Sequence, residues 1–216
     1  MEAEPPVPGI IRTGTQLRPV PLVPEVRLYQ ATDPIGLWQR TEQAEGAEVD
    51  PPFWAFAWAG GQALARYLLD HPEAVRGRRV IDVASGSGLV AIAAAQAGAA
   101  AVTAYDIDPL AAAAIGVNAA ANGVTVLAVC ADLLDEAPPP GTDLVLVADA
   151  FYQRELAGQV MRFLEWSQAR GVAVLAGDFG RTYLPRHRLT PLASYDVSGL
   201  GALEDSDVKR TTIWTL

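Results

Sequence analysis

The residues best suited to chemistry are carboxylates and glycines set out in a fixed order. Asp82 lies in the apolar run V-I-D-V-A, and Gly86 and Gly88 follow in G-S-G-L-V-A. Asp106 closes the next apolar run, A-V-T-A-Y-D, with Ile107 behind it; Asp132 and Leu133 follow a third run. Strand, glycine turn, helix, strand, carboxylate is the order of a nucleotide-cofactor site in a parallel sheet. Glycines at 86 and 88 let the backbone turn sharply and approach a ligand where a Cβ would clash. The helix after them aims its unpaired N–H groups at the same place. Asp106 is placed to accept hydrogen bonds from ribose hydroxyls. Asp132 can accept from an adenine amino group, with Ile107 and Leu133 flanking the ring.

The charge of Asp82 bears on which cofactor is expected. In a dinucleotide site the turn approaches a pyrophosphate, and a carboxylate four residues before Gly86 would repel it. S-adenosylmethionine carries no phosphate; it presents an ammonium and a sulfonium, which such a carboxylate attracts. A pyridine dinucleotide stays as the alternative, because G-S-G-L-V-A fits its fingerprint with Ala91 in third place and Asp106 about twenty residues on. Asp82 and the aromatic segment ahead of the first strand weigh against it. S-adenosylmethionine is therefore the expected cofactor.

Positioning these residues requires a sheet. Strand-like runs at Arg79–Ala84, Ala101–Tyr105, Val124–Val129, Leu144–Val147 and Val172–Ala176 alternate with helical segments. The helices are Leu89–Gln96, one opened by Asp108-Pro109 and closed by Asn122-Gly123, and Glu155–Ala169; another, Gln62–Asp70, precedes the first strand. Alternation of this kind predicts an α/β fold with a mostly parallel sheet and helices on both faces. Leu192–Val197 and Thr211–Leu216, with no helix between them, predict an antiparallel hairpin at one edge. Residues 1–52 are rich in proline, which predicts an extended N-terminal arm packed on a domain of residues 53–216, its first few residues disordered.

Composition narrows the classes of function. The chain has 216 residues, half of them hydrophobic, enough for one globular domain with a substantial core. A net charge of −9, with no Lys/Arg cluster, argues against nucleic acid as a partner. The single cysteine, Cys130, excludes an internal disulfide and a multi-cysteine zinc site, and its apolar surroundings predict a buried side chain. His71, before Pro72, is expected at a helix end and His187 in solvent, so no metal site is expected. No apolar run reaches the ~18–20 residues of a membrane span, and the acidic, proline-rich start is not a signal peptide. A cytoplasmic monomer is expected.

Five motifs together resemble one family. They are F-W-A-F-A-W-A-G-G-Q-A-L (Phe53–Leu64), V-I-D-V-A-S-G-S-G (Val80–Gly88), Y-D-I-D-P (Tyr105–Pro109), D-A-F-Y (Asp149–Tyr152) and G-D-F-G-R (Gly177–Arg181). In these the chain resembles the seven-β-strand lysine methyltransferases, above all the branch acting on the β-subunit of electron transfer flavoprotein. The resemblance runs from about Val20 to the C-terminus. It implies a Rossmann-like sheet of seven strands and methyl transfer from S-adenosylmethionine to lysine side chains of a protein, with the ribosomal stalk protein as the target of bacterial relatives. By similarity Trp58, Gly60, Ala84 and Ala148 join the cofactor site, and Asp149 and Tyr152 border the acceptor pocket. The family's pattern has glycine where Ala84 stands and proline where Ala59 and Phe179 stand; alanine suits position 84 if its φ is negative.

The chemistry implied is an in-line displacement, in which placing nitrogen, methyl and sulfur on one line is the enzyme's main task. Lysine must react as the neutral amine although its free pKa is ~10.4, and aromatic walls lower it by desolvation. Asp149 can hold and orient the incoming ammonium and accept or relay a proton, while Tyr152 adds a hydrogen bond and a π face. The plainer reading makes Asp149 a turn cap, Tyr152 a packing residue and Phe53–Trp58 core filling. Arg181 and Asp178 either contact the protein substrate or pair on the surface. A small-molecule N-methyltransferase of the nicotinamide type and a cofactor-binding interaction protein without turnover are the competing functions.

Overall fold

The computed structural model describes residues 9–198 and 208–216, so the disorder expected at the first few residues lies outside the described residues. The central sheet holds seven strands: β3 (Arg79–Val83), β4 (Ala101–Asp106), β5 (Leu127–Cys130), β6 (Leu144–Ala148), β7 (Ala173–Asp178), β8 (Thr190–Ser198) and β9 (Val208–Thr215). Their spatial order is β5-β4-β3-β6-β7-β9-β8. β3 to β7 are mutually parallel, whereas β9 runs antiparallel to both β7 and β8, so the expected hairpin closes one edge.

Chain order reverses direction between β3 and β6, which pair side by side. The loops leaving their carboxyl ends diverge there, opening the crevice where such sheets take ligands. The central strand β6 is apolar throughout because helices cover both of its faces. Val145 and Val147 join one core cluster with Phe163 and Leu164; Leu144 and Leu146 join another with Leu64, Leu68 and Val90. The helices responsible are α6 (Arg154–Ala169) for the first, and α3 (Ala59–Asp70) with α4 (Leu89–Gln96) for the second.

Helix α5 (Pro109–Ala121) starts as its sequence implies, with Asp108 accepting the N–H of Leu110 and proline in the first turn. Its end shifts the next strand. Val124 donates its N–H to Ala119 and so closes the helix, and β5 begins only at Leu127, three residues later than expected. β5 is also the sheet's edge strand. Cys130 therefore lies exposed, correcting the expected burial: an apolar run on an edge strand is covered incompletely.

The N-terminal segment is more structured than the proline count suggests. α1 (Gly9–Gly14) leads into an antiparallel hairpin of β1 (Thr15–Pro19) and β2 (Arg27–Ala31). A twelve-residue helix follows, α2 (Pro34–Glu45), where extended chain was expected. Asp33 caps it by accepting the Gly36 N–H, Pro34 opens it, and Gly46 closes it at φ 68°. Val20, Val23, Val26 and Leu28 are fully buried against Ala65, Leu89, Ile92 and Ala119, so this segment roofs α3, α4 and α5.

Candidate active site

The sequence-predicted residues gather at the carboxyl ends of β3, β4 and β6. After β3 the chain turns through Ala84, Ser85, Gly86, Ser87 and Gly88 into α4. Gly86 and Gly88 have φ of 55° and 80°, the left-handed region glycine tolerates. An added Cβ at Gly88 would press on the Ile115 backbone at 3.3 Å, whereas at Gly86 it would meet nothing nearer than the Phe53 carbonyl at 3.9 Å. Gly88 thus packs α4 on α5, and Gly86 faces open space. Ala84 also has a positive φ, 52°, contrary to the negative value that would suit alanine.

The two cofactor-side carboxylates hold this turn from different directions. Asp82 is buried, and its Oδ2 accepts from the Ser85 hydroxyl at 2.5 Å and the Ala91 N–H at 3.2 Å. Burial pushes its carboxyl up to about 7, against the pull of those two donors. Asp106 is half-buried; its Oδ2 accepts the Gly86 N–H at 2.8 Å and its Oδ1 the Asp108 N–H at 3.0 Å. Further out, Ile107 is exposed beside it. Asp132 is exposed and accepts the Leu134 N–H, while the Leu133 side chain is buried in the cluster beneath the sheet.

One support was not read from the sequence. Asn118, fully buried on α5, donates to the Ser87 carbonyl at 2.8 Å and accepts the Tyr29 N–H, tying the glycine turn to β2. Asn122, one turn on, bonds both backbone groups of Arg27. Asn118 within a helix of small and aliphatic residues, with Asn122 one turn on at its C-terminal cap, was the available signal.

The second half of the site lies across β6. Ala148 pairs with Gly177 in the ladder, and Asp149 follows with φ 56°, a conformation rare for a side-chain-bearing residue. Its carboxylate is buried against the N-terminus of α3: Oδ2 accepts the Gly61 N–H at 2.8 Å, and Oδ1 receives Arg181 Nη2 at 3.0 Å. Burial raises the Asp149 carboxyl, while Arg181 and the Gly60 and Gly61 amides oppose the rise. A Cβ on Gly60 would lie 2.2 Å from the Gly177 carbonyl and 2.6 Å from Asp149, so only glycine permits α3 to approach β7 this closely.

Aromatic rings form the open side. Trp58 caps α3 and donates its indole N–H to the Phe53 carbonyl. The half-exposed Phe53 ring lies 6.0 Å from Trp58 and 5.7 Å from the exposed Tyr152. Burial first, then the negative charges of Asp50 and Asp106, raise the Tyr152 hydroxyl. Trp54 and Phe56 are core, as core filling would have them, whereas Phe53 and Trp58 face the site. Arg181 and Asp178 are not a surface pair: Asp178 is fully buried and Arg181 partly so.

The family model of the ribosomal protein L11 methyltransferases (PrmA) matches residues 63–174. An electron transfer flavoprotein beta subunit lysine methyltransferase from Xenopus laevis is 37% identical over 212 residues, covering 96% of this chain and 85% of that protein. The chain belongs to that family of lysine methyltransferases. A ribosomal protein L11 methyltransferase from Deinococcus radiodurans is 40% identical over 92 residues, 41% of this chain and 33% of its own. Among solved structures, magnesium protoporphyrin IX methyltransferase from Synechocystis superposes with a TM-score of 0.51 at 17% identity, over 70% of this chain and 77% of that one, and shares the fold. The chain is thus a lysine methyltransferase with a seven-stranded sheet.

Proposed function

We propose that this lysine methyltransferase modifies a lysine of the electron transfer flavoprotein β-subunit. The reach of the likeness supports this target. Identity to the flavoprotein-directed relative spans the N-terminal segment, the D-A-F-Y corner and the C-terminal strands, whereas the L11-directed relative matches only 41% of the chain.

The residues present fit S-adenosylmethionine. Gly86 leaves space above the turn, Asp106 offers a half-buried carboxylate for ribose hydroxyls, and Asp82 sets negative charge beneath the loop. Gly88 holds α4 in place, Ala84 belongs to the turn, Trp58 and Ala148 would border the cofactor, and Gly60 would act by setting how closely α3 packs on Gly177 and Asp149. Asp132 and Ile107 would border the adenine, with Leu133 acting from within the core. Bound there, S-adenosylmethionine supplies an electrophilic methyl group. Phe53, Trp58 and Tyr152 exclude water from one side of the acceptor amine and disfavour its charged form. The Tyr152 hydroxyl can bond the amine. Asp149, already holding Arg181 and the α3 amide, orients this corner more than it serves as an unengaged base.

The test is transfer of labelled methyl by the purified protein to recombinant electron transfer flavoprotein β-subunit, with L11 and nicotinamide as parallel acceptors. Label on a flavoprotein lysine, lost with Asp149→Ala, is the expected result. Label on L11 alone, or on nicotinamide alone, would overturn the proposed target.

A further inference from the structure

Arg181 occupies the place where a cationic side chain would meet Asp149. Its Nη2 lies 3.0 Å from Asp149 Oδ1 and its Nε 3.8 Å from Asp178 Oδ2. Its guanidinium sits 4.5 Å from the centre of the Phe179 ring and 5.8 Å from that of Trp58. Asp178 in turn accepts the Gly180 and Arg181 backbone N–H groups, so the loop after β7 is wound around the charge it delivers.

We propose that Arg181 is the positioning residue of the acceptor site: through Asp149 it fixes the α3 N-terminus, and its own charge disfavours a protonated amine beside it. This rests on reading the Asp149–Tyr152 corner as the acceptor end.

The backbone of Asp149 demands such support, because a left-handed aspartate persists only when its surroundings over-determine it. Here those are the Gly177 carbonyl receiving the Asp149 N–H, the Gly61 amide and Arg181. Two buried carboxylates share this guanidinium; burial, with Asp149's charge adding, pushes Asp178 up to about 6. Take the guanidinium away and two like charges remain in a dry corner, which forces one to take a proton. Among the described residues, the other titratable groups around this corner are the Tyr152 hydroxyl, raised by burial and by Asp50 and Asp106 although Arg181 opposes the rise, and Lys209 of β9, 4.7 Å from the Phe179 ring. A fixed cation at this point also repels an incoming ammonium, so the lysine that settles there has shed its proton to solvent. Arginine suits this task because its planar fork spans both carboxylates and stays charged at any working pH. Phe179 then has a role: its ring supports the guanidinium at 4.5 Å.

Arg181→Met and Arg181→Lys, made in the full-length protein, test this. The first readout is the titration of the Asp149 carboxyl, followed by carbon NMR without cofactor. It should rise by about one pH unit or more in Arg181→Met and stay near the wild-type position in Arg181→Lys. The second is the pH profile of turnover: the acid limb of kcat should move up with that titration, with kcat at neutral pH down about tenfold and KM for cofactor little changed. Should Arg181→Met not fold, Arg181→Gln carries the same comparison, keeping a donor without the charge. An unmoved Asp149 titration, or a kcat lowered equally at every pH, overturns the proposal. If the wild type methylates nothing, the acceptor-site reading fails by itself, and the titration still decides what Arg181 does to Asp149.

Discussion

Ala84 and Asp82 stand two residues apart and make opposite demands on the cofactor turn. Ala84, at φ 52°, holds a left-handed conformation that costs a side-chain-bearing residue ~1–2 kcal/mol. Glycine removes that strain but adds freedom to the unfolded chain, worth ~0.4–1 kcal/mol the other way. Ala84→Gly is therefore expected to stabilise the protein slightly, raising Tm by about 2–4 °C for each kcal/mol of net gain. A lower melting temperature would mean that the turn relaxes elsewhere to suit alanine. Asp82 concerns charge. Its carboxyl, pushed up to about 7 by burial, is ionised above that pH and protonated below it. A cationic cofactor gains from the ionised form only. Titration calorimetry should find S-adenosylmethionine bound more weakly at pH 6 than at pH 8, with proton release on binding near pH 7. Equal affinity at both would show that Asp82 supports the loop without contributing its charge.

Between elements, two contacts carry the site. The first is α3 against β7, where Gly60 and Gly177 bring backbones together and Asp149 receives the helix amides. Gly60→Ala sets a methyl within 2.2 Å of a carbonyl that cannot swing aside. Overpacking of this kind costs ~1–3 kcal/mol, and here it also tips α3 away from Asp149. The expected outcome is a lower melting temperature together with a larger loss of turnover than of cofactor binding. The second contact is Asn118. Asn118→Ala leaves the Ser87 carbonyl and the Tyr29 amide without this partner, at ~1–3 kcal/mol. Hydrogen exchange should then speed up in β2 and in the glycine turn together; faster exchange in only one would show the link is not mechanical. These elements also show how far local sequence reaches. The β3 to β7 alternation, the Asp108-Pro109 start and the closing hairpin are legible because periodicity and caps are local. Asp33-Pro34 and Gly46 bracket α2 with the same cap, proline and glycine, yet the neighbouring prolines hide them. Cys130 departs from expectation because an apolar run does not reveal that its strand lies at an edge. The Arg181–Asp149 pair joins residues 32 apart in sequence, and neither position signals its partner.

At the scale of the molecule, burial and net charge act in the same direction on stability. Asp82 and Asp178 have carboxyls raised to about 7 and about 6, and those of Asp149 and Asp108 are raised as well, all chiefly by burial. In the unfolded chain each titrates near 3.8–3.9. Between about pH 4 and pH 7 the folded protein therefore holds protons that the unfolded chain has released. More protons bound in the folded state means that unfolding free energy falls as pH rises across that window. A tenfold change in a carboxyl's proton affinity is worth about 1.4 kcal/mol, so the fully buried Asp82 alone contributes on the order of a few kcal/mol. The net charge of −9 reinforces the trend, since protonation lessens self-repulsion. Glu25 works the other way: its carboxyl is lowered by Arg66, but Glu25 is exposed and water screens the pair. The cofactor-free protein is thus expected to melt at a higher temperature near pH 5.5 than near pH 8, the reverse of a fold held by salt-bridged carboxylates. Asp82→Asn isolates one contribution. It removes one buried charge and keeps most of the shape, so it should lessen the pH dependence by the share due to Asp82 and leave the slope due to Asp178, Asp149, Asp108 and net charge. Added salt should flatten the net-charge part of that remainder by screening. A wild-type protein more stable at pH 8 than at 5.5 would place the ionised form of Asp82 inside a stronger hydrogen-bond network than Ser85 and Ala91 supply.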